Sequence, residues 1–433
     1  MELVSLYLFL PLGVFIVLGV PIAFSLALSC ALFLLFSGTR IPSLVIVTEM
    51  YSALDSPGML ALPMFVIAGE LLNRCDLTDR LIRVAQALVG WIRGGLAHAS
   101  VVGSMFFAGI SGSAIADAAS IGPIMIPSMV KEGYPRPFAG AIVAAASVIG
   151  PIIPPSIPLV IIGGQLQISI GGLFAAGFVP GVLVGAALMF AAYVMCRIGG
   201  FGQVSKFPGV GPVARMTLGA APVLVIPFMI LGGILLGIFA PTEAGAFTAL
   251  YTIVIGSLFY RTLTFAKFRA ALLSTAQITA TCLVIVAAAV VYGRILTFHQ
   301  FPQELLKLML ALTQNKTYIL LLIIALFIFV GLFMDALANM IILGPLLYPI
   351  CVAGLGMHPI QFGIFLMVGL LIGLLTPPVG LSLFVVAPIA RVSLERLSWA
   401  VLPFLAAVTA VLFLIAFVPE ITLFVPRLGG LVK

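Results

Sequence analysis

Blocks of about 17 to 25 mostly apolar residues recur from one end of this chain to the other, each long enough to cross a hydrocarbon core about 30 Å thick as a helix. In such a core every backbone N–H and C=O needs a partner inside the protein, so only helices and closed barrels span it. A barrel strand alternates apolar and polar side chains, and Leu321 to Val330 does not. The blocks therefore predict an all-α polytopic membrane protein. Composition excludes a soluble enzyme: 8% of the residues are charged, against roughly 25% in a soluble domain.

The net charge of +7 does not point to nucleic acid, because the basic residues stand singly or in small groups between apolar blocks. They report topology instead. Ten crossings are expected, near Leu3–Gly19, Pro21–Phe36, Ser56–Leu72, Phe138–Gly164, Phe174–Met195, Met216–Phe239, Ala244–Phe259, Ala270–Tyr292, Phe362–Ala390 and Trp399–Val418. The first two read as retained helices, since Leu3 to Phe36 is too long for a signal peptide and lacks a basic start. Two further apolar stretches, Ala99–Met129 and Thr317–Cys351, exceed one straight crossing and are interrupted by polar and small residues. Each predicts a re-entrant hairpin that enters and leaves on one side. With that arrangement fourteen Lys and Arg residues fall on one side and six on the other, so the rich side is expected to be cytoplasmic.

The two halves of the chain repeat. Gly109-Ile-Ser-Gly-Ser113-Ala-Ile-Ala-Asp117, Gly122-Pro123 and Pro127 are matched 222 residues later by Gly331-Leu-Phe-Met-Asp335-Ala-Leu-Ala-Asn339, Gly344-Pro345 and Pro349. At an offset of 223, Ile149-Gly150-Pro-Ile-Ile-Pro154-Pro155 is matched by Ile372-Gly373-Leu-Leu-Thr-Pro377-Pro378, and Pro180 by Pro403. The charge-based topology puts the first hairpin on the cytoplasmic side and the second on the outer side, so the repeats are inverted. Secondary transporters with inverted repeats bind their cargo near the midplane, at broken helices. Before each hairpin lies a less apolar stretch, Leu81–Trp91 and Gln303–Leu312, suited to an interfacial helix. The organisation expected is N-terminal helices over 1–55, a first repeat over 56–196, connecting helices over 197–277, a second repeat over 278–418 and a tail over 419–433.

Two polar constellations are related by the repeat. One is Ser111, Ser113 and Asp117 with Gly150, Pro154, Pro155 and Ser156; the other is Asp335 and Asn339 with Thr376, Pro377, Pro378, Gly380 and Ser382. Proline pairs and glycines inside a span stop the backbone bonding to itself, and the freed carbonyls must face a partner or a cavity. Carbonyls, hydroxyls and a carboxylate are hard ligands that suit Na⁺, while half-helix N-termini suit an anion. A carboxylate in mid-membrane is costly, which sets Asp117 and Asp335 apart; a proton relay or an internal polar pair would be other uses for them. Glu70 and Glu243 lie near helix ends, the latter placed to cap a helix start. The five cysteines form no metal-binding spacing, and the three histidines lie near segment ends.

On these motifs, together with Leu62-Pro-Met-Phe-Val-Ile-Ala-Gly-Glu-Leu71, Ala240-Pro-Thr-Glu-Ala244, Phe333-Met-Asp335 and Leu375-Thr-Pro-Pro-Val-Gly-Leu381, the chain resembles the large membrane subunit of the tripartite ATP-independent periplasmic (TRAP) transporters. The motifs run in one order over nearly the whole chain, and Asp335-Ala-Leu-Ala-Asn339 departs somewhat from the family's usual forms. The resemblance implies an elevator-type fold in the bacterial or archaeal inner membrane, with a moving unit that holds both hairpins and both broken helices. It implies two partners besides the lipid bilayer: a small four-helix membrane subunit, here expected as a separate polypeptide, and a periplasmic substrate-binding protein. It also implies a sodium gradient as the driving force and an organic acid, such as a C4-dicarboxylate or sialic acid, as cargo. Ser111, Ser113 and Gly150 are then expected at one Na⁺ site and Asp335, Asn339 and Thr376 at another. Substrate is expected near Asp117, Pro154–Ser156, Pro377–Gly380 and Ser382. The alternatives are a self-sufficient Na⁺/organic-anion symporter, an intramembrane enzyme built on paired aspartates, and a structural assembly subunit.

Overall fold

The computed structural model describes the chain apart from residues 1–3, 39–42, 56, 76–77, 205, 314, 333, 378–379 and 433. Among the described residues it is all helix and loop, with no strand. A π-helical turn over Ser5–Phe9 leads into α1 (Leu10–Val17), followed by α2 (Ile22–Phe36), α3 (Ser43–Leu54) and α4 (Pro57–Arg74). The first repeat continues with α5 (Thr78–Val89), α6 (Gly95–Ser111), α7 (Ala114–Lys131), α8 (Arg136–Ser147), α9 (Ile157–Leu166) and α10 (Ile170–Gly199). Connecting helices α11 (Val210–Leu235) and α12 (Pro241–Val254) follow. The second repeat holds α13 (Phe265–Phe298), α14 (Phe301–Leu312), α15 (Lys316–Gly331), α16 (Ala336–Tyr348), α17 (Pro359–Leu371), α18 (Leu381–Ala390) and α19 (Leu394–Phe417), and α20 (Glu420–Leu428) ends the chain.

Among the described residues, six helices are long and apolar enough to cross a membrane: Ile170–Gly199, Val210–Leu235, Pro241–Phe259, Phe265–Phe298, Ala336–Gly354 and Leu394–Phe417. Five of them fall on expected crossings. The sixth is the second arm of the second expected hairpin. The expected crossings Phe138–Gly164 and Phe362–Ala390 are each split in two, as α8 and α9 and as α17 and α18. Helix α3 was not among the expected crossings, because Thr48, Glu49 and Ser52 dilute its apolar character. It lies on α13, where Glu49 Oε1 sits 3.4 Å from Arg294 Nε. The expected boundaries at 196/197 and 277/278 fall inside α10 and α13, so continuous helices carry the chain between units.

The repeat is visible in the elements. Helices α5 and α14 begin and end 223 residues apart, and α7 and α16 begin 222 apart. Helix α5 is amphipathic: Leu81, Ile82 and Ala85 are buried against α6, while Asp79 and Arg83 are exposed. Arg80 on its flank lies 4.4 Å from the ring centre of Tyr260. The halves also exchange partners. Helix α7 packs on α18 and α16 packs on α9, so each hairpin's second arm rests on the other repeat's broken helix. Likewise α8 packs on α19 and α17 on α10. Ser147 Oγ at the end of α8 donates to Ser382 Oγ on α18 at 3.4 Å, and Gln165 Nε2 on α9 donates to Ile341 O on α16 at 2.8 Å.

This exchange needs close approach of main chains. A Cβ placed on Gly331, at the end of α15, would lie 2.7 Å from Gly373 Cα, and one on Gly373 would lie 2.6 Å from Gly331 Cα. Two backbones in contact cannot be parted without moving the hairpin off the broken helix. Gly373→Ala is therefore expected to destabilise by about 1–3 kcal/mol. Purified protein should melt several degrees lower, whereas Gly219→Ala, with nothing within 4 Å, should melt as the parent does.

Candidate functional site

Each hairpin breaks where a side chain replaces the backbone as hydrogen-bond partner. In the first, Gly112 turns the chain in the left-handed region (φ 60°), and Ser113 caps α7 by accepting from Ala116 N at 3.5 Å. In the second, Asp335 caps α16, its Oδ2 accepting from Leu337 N at 3.0 Å. Ser113 and Asp335 are the same position of the repeat. The first broken helix restarts at α9, where Ser156 Oγ accepts from Leu159 N at 3.3 Å. Three helix N-termini (α7, α9 and α16) thus carry first-turn amides that their helices leave free.

They meet at one cavity of about 380 Å³. Ser113, Ala114 and Ala116 line it from the first hairpin, Asp335, Ala336 and Leu337 from the second, and Pro151, Ile157, Pro158, Leu371 and Leu374 from the broken helices. The remaining wall comes from α4 and α13, through Val66, Gly69, Glu70, Asn73, Ile278 and Cys282. A more voluminous cleft of about 540 Å³ lies by Gln167–Gly171 and Ala240–Thr242 but touches neither hairpin break. The smaller cavity is therefore the candidate site.

The structure sorts the residues singled out in the sequence. Ser113 and Asp335 face the cavity. Asp117 does not: it is fully buried one turn into α7, against Gly150, where a Cβ would collide with its Oδ2. It packs beside Gly150 of the first expected ion set, away from the cavity that Ser113 and Asp335 line. Ser111 ends α6 next to the break. Asn339 is 1% exposed, a turn behind Asp335, and its Nδ2 donates to Met334 O at 3.2 Å across the hairpin break. Its Oδ1 has no hydrogen-bond partner among the described residues. Thr376 is also buried, its Oγ1 donating to Ile372 O at 2.8 Å, on the turn that Gly373 presses against Gly331.

Six further expected substrate residues lie outside this cavity's wall. Pro154 and Pro155, joined by a cis peptide, and Ser156 are buried behind the cavity wall. Ser382 is buried in its bond with Ser147, and Pro377 borders a separate cleft beside Trp399. Gly380, with φ 39°, starts α18 and is not in the cavity wall, and Pro378 lies outside the described residues. The reason is geometric. A break is a loop that coils on itself, so which of its residues reach the cavity, here Pro151, Leu371 and Leu374, does not follow the motif.

Sequence reasoning missed most of the α4 and α13 wall. Glu70 was noticed without a role, and it is ion-paired: Arg74 Nη2 and Nε both lie 3.2 Å from its Oε2. Arg74 also donates to Ser274 Oγ on α13 at 2.6 Å. Asn73 Oδ1 accepts from Ser120 Oγ on α7 at 2.9 Å, joining the wall to the first hairpin. The available signal was polar side chains at i, i+3 and i+4 on an otherwise apolar helix. Glu243 does cap its helix, accepting from Ala240 N at 2.8 Å. Of the five cysteines, all buried, Cys282 borders the cavity. A small maleimide should therefore modify Cys282 well before Cys30, Cys75, Cys196 or Cys351; equal rates by peptide mass spectrometry would contradict the cavity's access to solvent.

The family model described as "Tripartite ATP-independent periplasmic transporter, DctM component" matches residues 9–421. The chain is 39% identical over 412 residues to the isethionate TRAP transporter permease protein of Oleidesulfovibrio alaskensis, covering 95% of this chain and 65% of that one. It is 38% identical to the sialic acid TRAP transporter large permease protein of Vibrio cholerae, covering 95% of each. It is 35% identical to the C4-dicarboxylate TRAP transporter large permease protein of the same organism, covering 98% of each. Among solved structures, the YdaH transporter of Alcanivorax borkumensis shares the fold, with a TM-score of 0.64 over 88% of each chain at 16% identity.

Proposed function

The chain belongs to the DctM family of tripartite ATP-independent periplasmic transporters, and from that premise we propose that it imports an organic acid, delivered by a periplasmic binding protein and driven by a sodium gradient. It is a large permease subunit, a multi-pass membrane protein and not an enzyme. The cargo is an acid of the kind its relatives are named for, which include isethionate, sialic acid and C4-dicarboxylates. The observation that carries this reading is the cavity bounded at once by both hairpin breaks and both broken helices. The N-terminus of α7, which borders the cavity, favours an anion there.

The first sodium sits among Ser111, Ser113 and the backbone of Gly150, with the buried Asp117 carboxylate beside it. The second sits at Asn339 and Thr376, where Gly331 and Gly373 bring loosened backbone together, and Asp335 stands at its cavity edge. Buried oxygen donors without enough protein partners are what a hard cation replaces, and Asn339 Oδ1 is such a donor. The hairpins and broken helices move together, since α7–α18 and α16–α9 packing ties them into one body. That body slides elevator-fashion along α4, α11, α12 and α13 in the inner membrane. A small four-helix subunit covers part of the apolar outer surface of the stationary helices.

The test is uptake of labelled acid into proteoliposomes holding the chain and its small subunit, with binding protein outside. Uptake should require both the binding protein and an inward sodium gradient; sodium-driven uptake without the binding protein would mark a self-sufficient symporter instead. Asn339→Leu should raise the sodium concentration for half-maximal uptake at least about tenfold. An unchanged sodium dependence in a normally folded variant would remove Asn339 from the ion site.

A further inference from the structure

The polar groups of the cavity are unevenly placed. On the first hairpin's side stand the Ser113 hydroxyl, the first turn of α7 and, bonded to α7 through Ser120, the Asn73 carboxamide. Asn73 spends Oδ1 on Ser120, which leaves its Nδ2 hydrogens as donors. This side offers donors on a helix N-terminus and suits one anionic group. On the second hairpin's side stands the half-buried Asp335 carboxyl, whose Oδ2 accepts from Leu337 N at 3.0 Å.

No lysine, arginine or histidine is found among the described residues of the wall. The other acid there, Glu70, has its charge offset by Arg74, which is itself held by Glu70 and Ser274. A second carboxylate on the cargo would have to share this wall with Asp335, and two carboxyls in contact cannot both stay ionised in a dry site. A hydroxyl or ammonium group placed there would donate to it.

Resting on the transporter reading above, we infer that the cargo is a monoanion bearing hydrogen-bond donors, a hydroxylated or amino acid-like acid, and not a dicarboxylate dianion. Its acid group lies at Ser113 and Asn73, and its hydroxyl or ammonium end at Asp335.

The experiment uses the chain with its small subunit in lipid nanodiscs at pH 7.5 with sodium. Protection of Cys282 from N-ethylmaleimide is titrated, and the melting temperature is read in parallel. Three hydroxylated monoanions (D-glycerate, D-gluconate and N-acetylneuraminate) are compared with three dianions (succinate, fumarate and 2-oxoglutarate). The best monoanion should protect at a concentration at least about tenfold below the best dianion. Asp335→Asn, which keeps an N-cap side chain, should bring the two classes within about threefold of each other. A dianion that protects as well as the monoanions overturns the inference alone, as does a preference that survives in Asp335→Asn. Neither class protecting or raising the melting temperature overturns the transporter reading of this cavity as well.

Discussion

A backbone amide that loses its helical partner in hydrocarbon cannot turn to water, and leaving it unmet costs several kcal/mol. That constraint organises this molecule. Its chain interrupts four helical runs in the middle of apolar sequence, and each interruption exposes N–H and C=O groups that something must satisfy. Side chains meet some of the amides: Ser113, Ser156 and Asp335 each accept from the first turn they precede. Asn339 meets carbonyls on the other side of its break, at Met334 and more loosely at Val330, 3.5 Å away. What these bonds do not cover is gathered at one place, because the two repeats lean on each other's broken helices. The cavity is thus where the fold collects its unspent backbone polarity.

The repeat copies the backbone more faithfully than the side chains. At the helix start the first half has Ser113 and the second Asp335; one turn on, the first has Asp117 and the second Asn339. Each hairpin therefore holds one carboxylate and one neutral donor or acceptor, but at opposite depths. In the first, the charge is buried against Gly150 and the hydroxyl faces the cavity; in the second, the charge faces the cavity and the amide is buried. A pseudo-symmetric frame thereby encloses an asymmetric site.

The backbone plan was legible in the sequence because the features that dictate it are local. Apolar block length gives the helices, and proline and glycine inside a block give the breaks. An offset of 222 between Ser113 and Asp335 gives the repeat. The helices α5 and α14 were legible too, from charge placed every third or fourth residue. The facing of side chains at the breaks was not. Ser156 and Ser382 look like ligands in a motif, yet each is spent inside the packing, on Leu159 N and on Ser147. Periodicity assigns a face only where a helix continues, and within a break there is no period to extrapolate. The α4 wall escaped for a different reason. Its contact with the cavity is a tertiary fact, and Asn73 is brought to Ser120 across 47 positions by packing that no local pattern encodes.

That wall has a further physical consequence. Glu70, Arg74 and Ser274 bind α4 to α13 through a charge-assisted network, which keeps the two helices in register with each other. Between this wall and the hairpin, the bond from Ser120 to Asn73 is a neutral side-chain link. A neutral hydrogen bond contributes on the order of 1 kcal/mol net, and it can be exchanged for one to water or cargo. Strong bonds therefore lie within the wall, backbone contact lies within the hairpin body at Gly331 and Gly373, and a weak bond joins the two. The elevator movement proposed above needs this ordering, because any strong tie across the boundary would become the barrier to it. The Ser120 bond uses Asn73 Oδ1, so the Nδ2 hydrogens of Asn73 stay available to the cavity while that tie is intact.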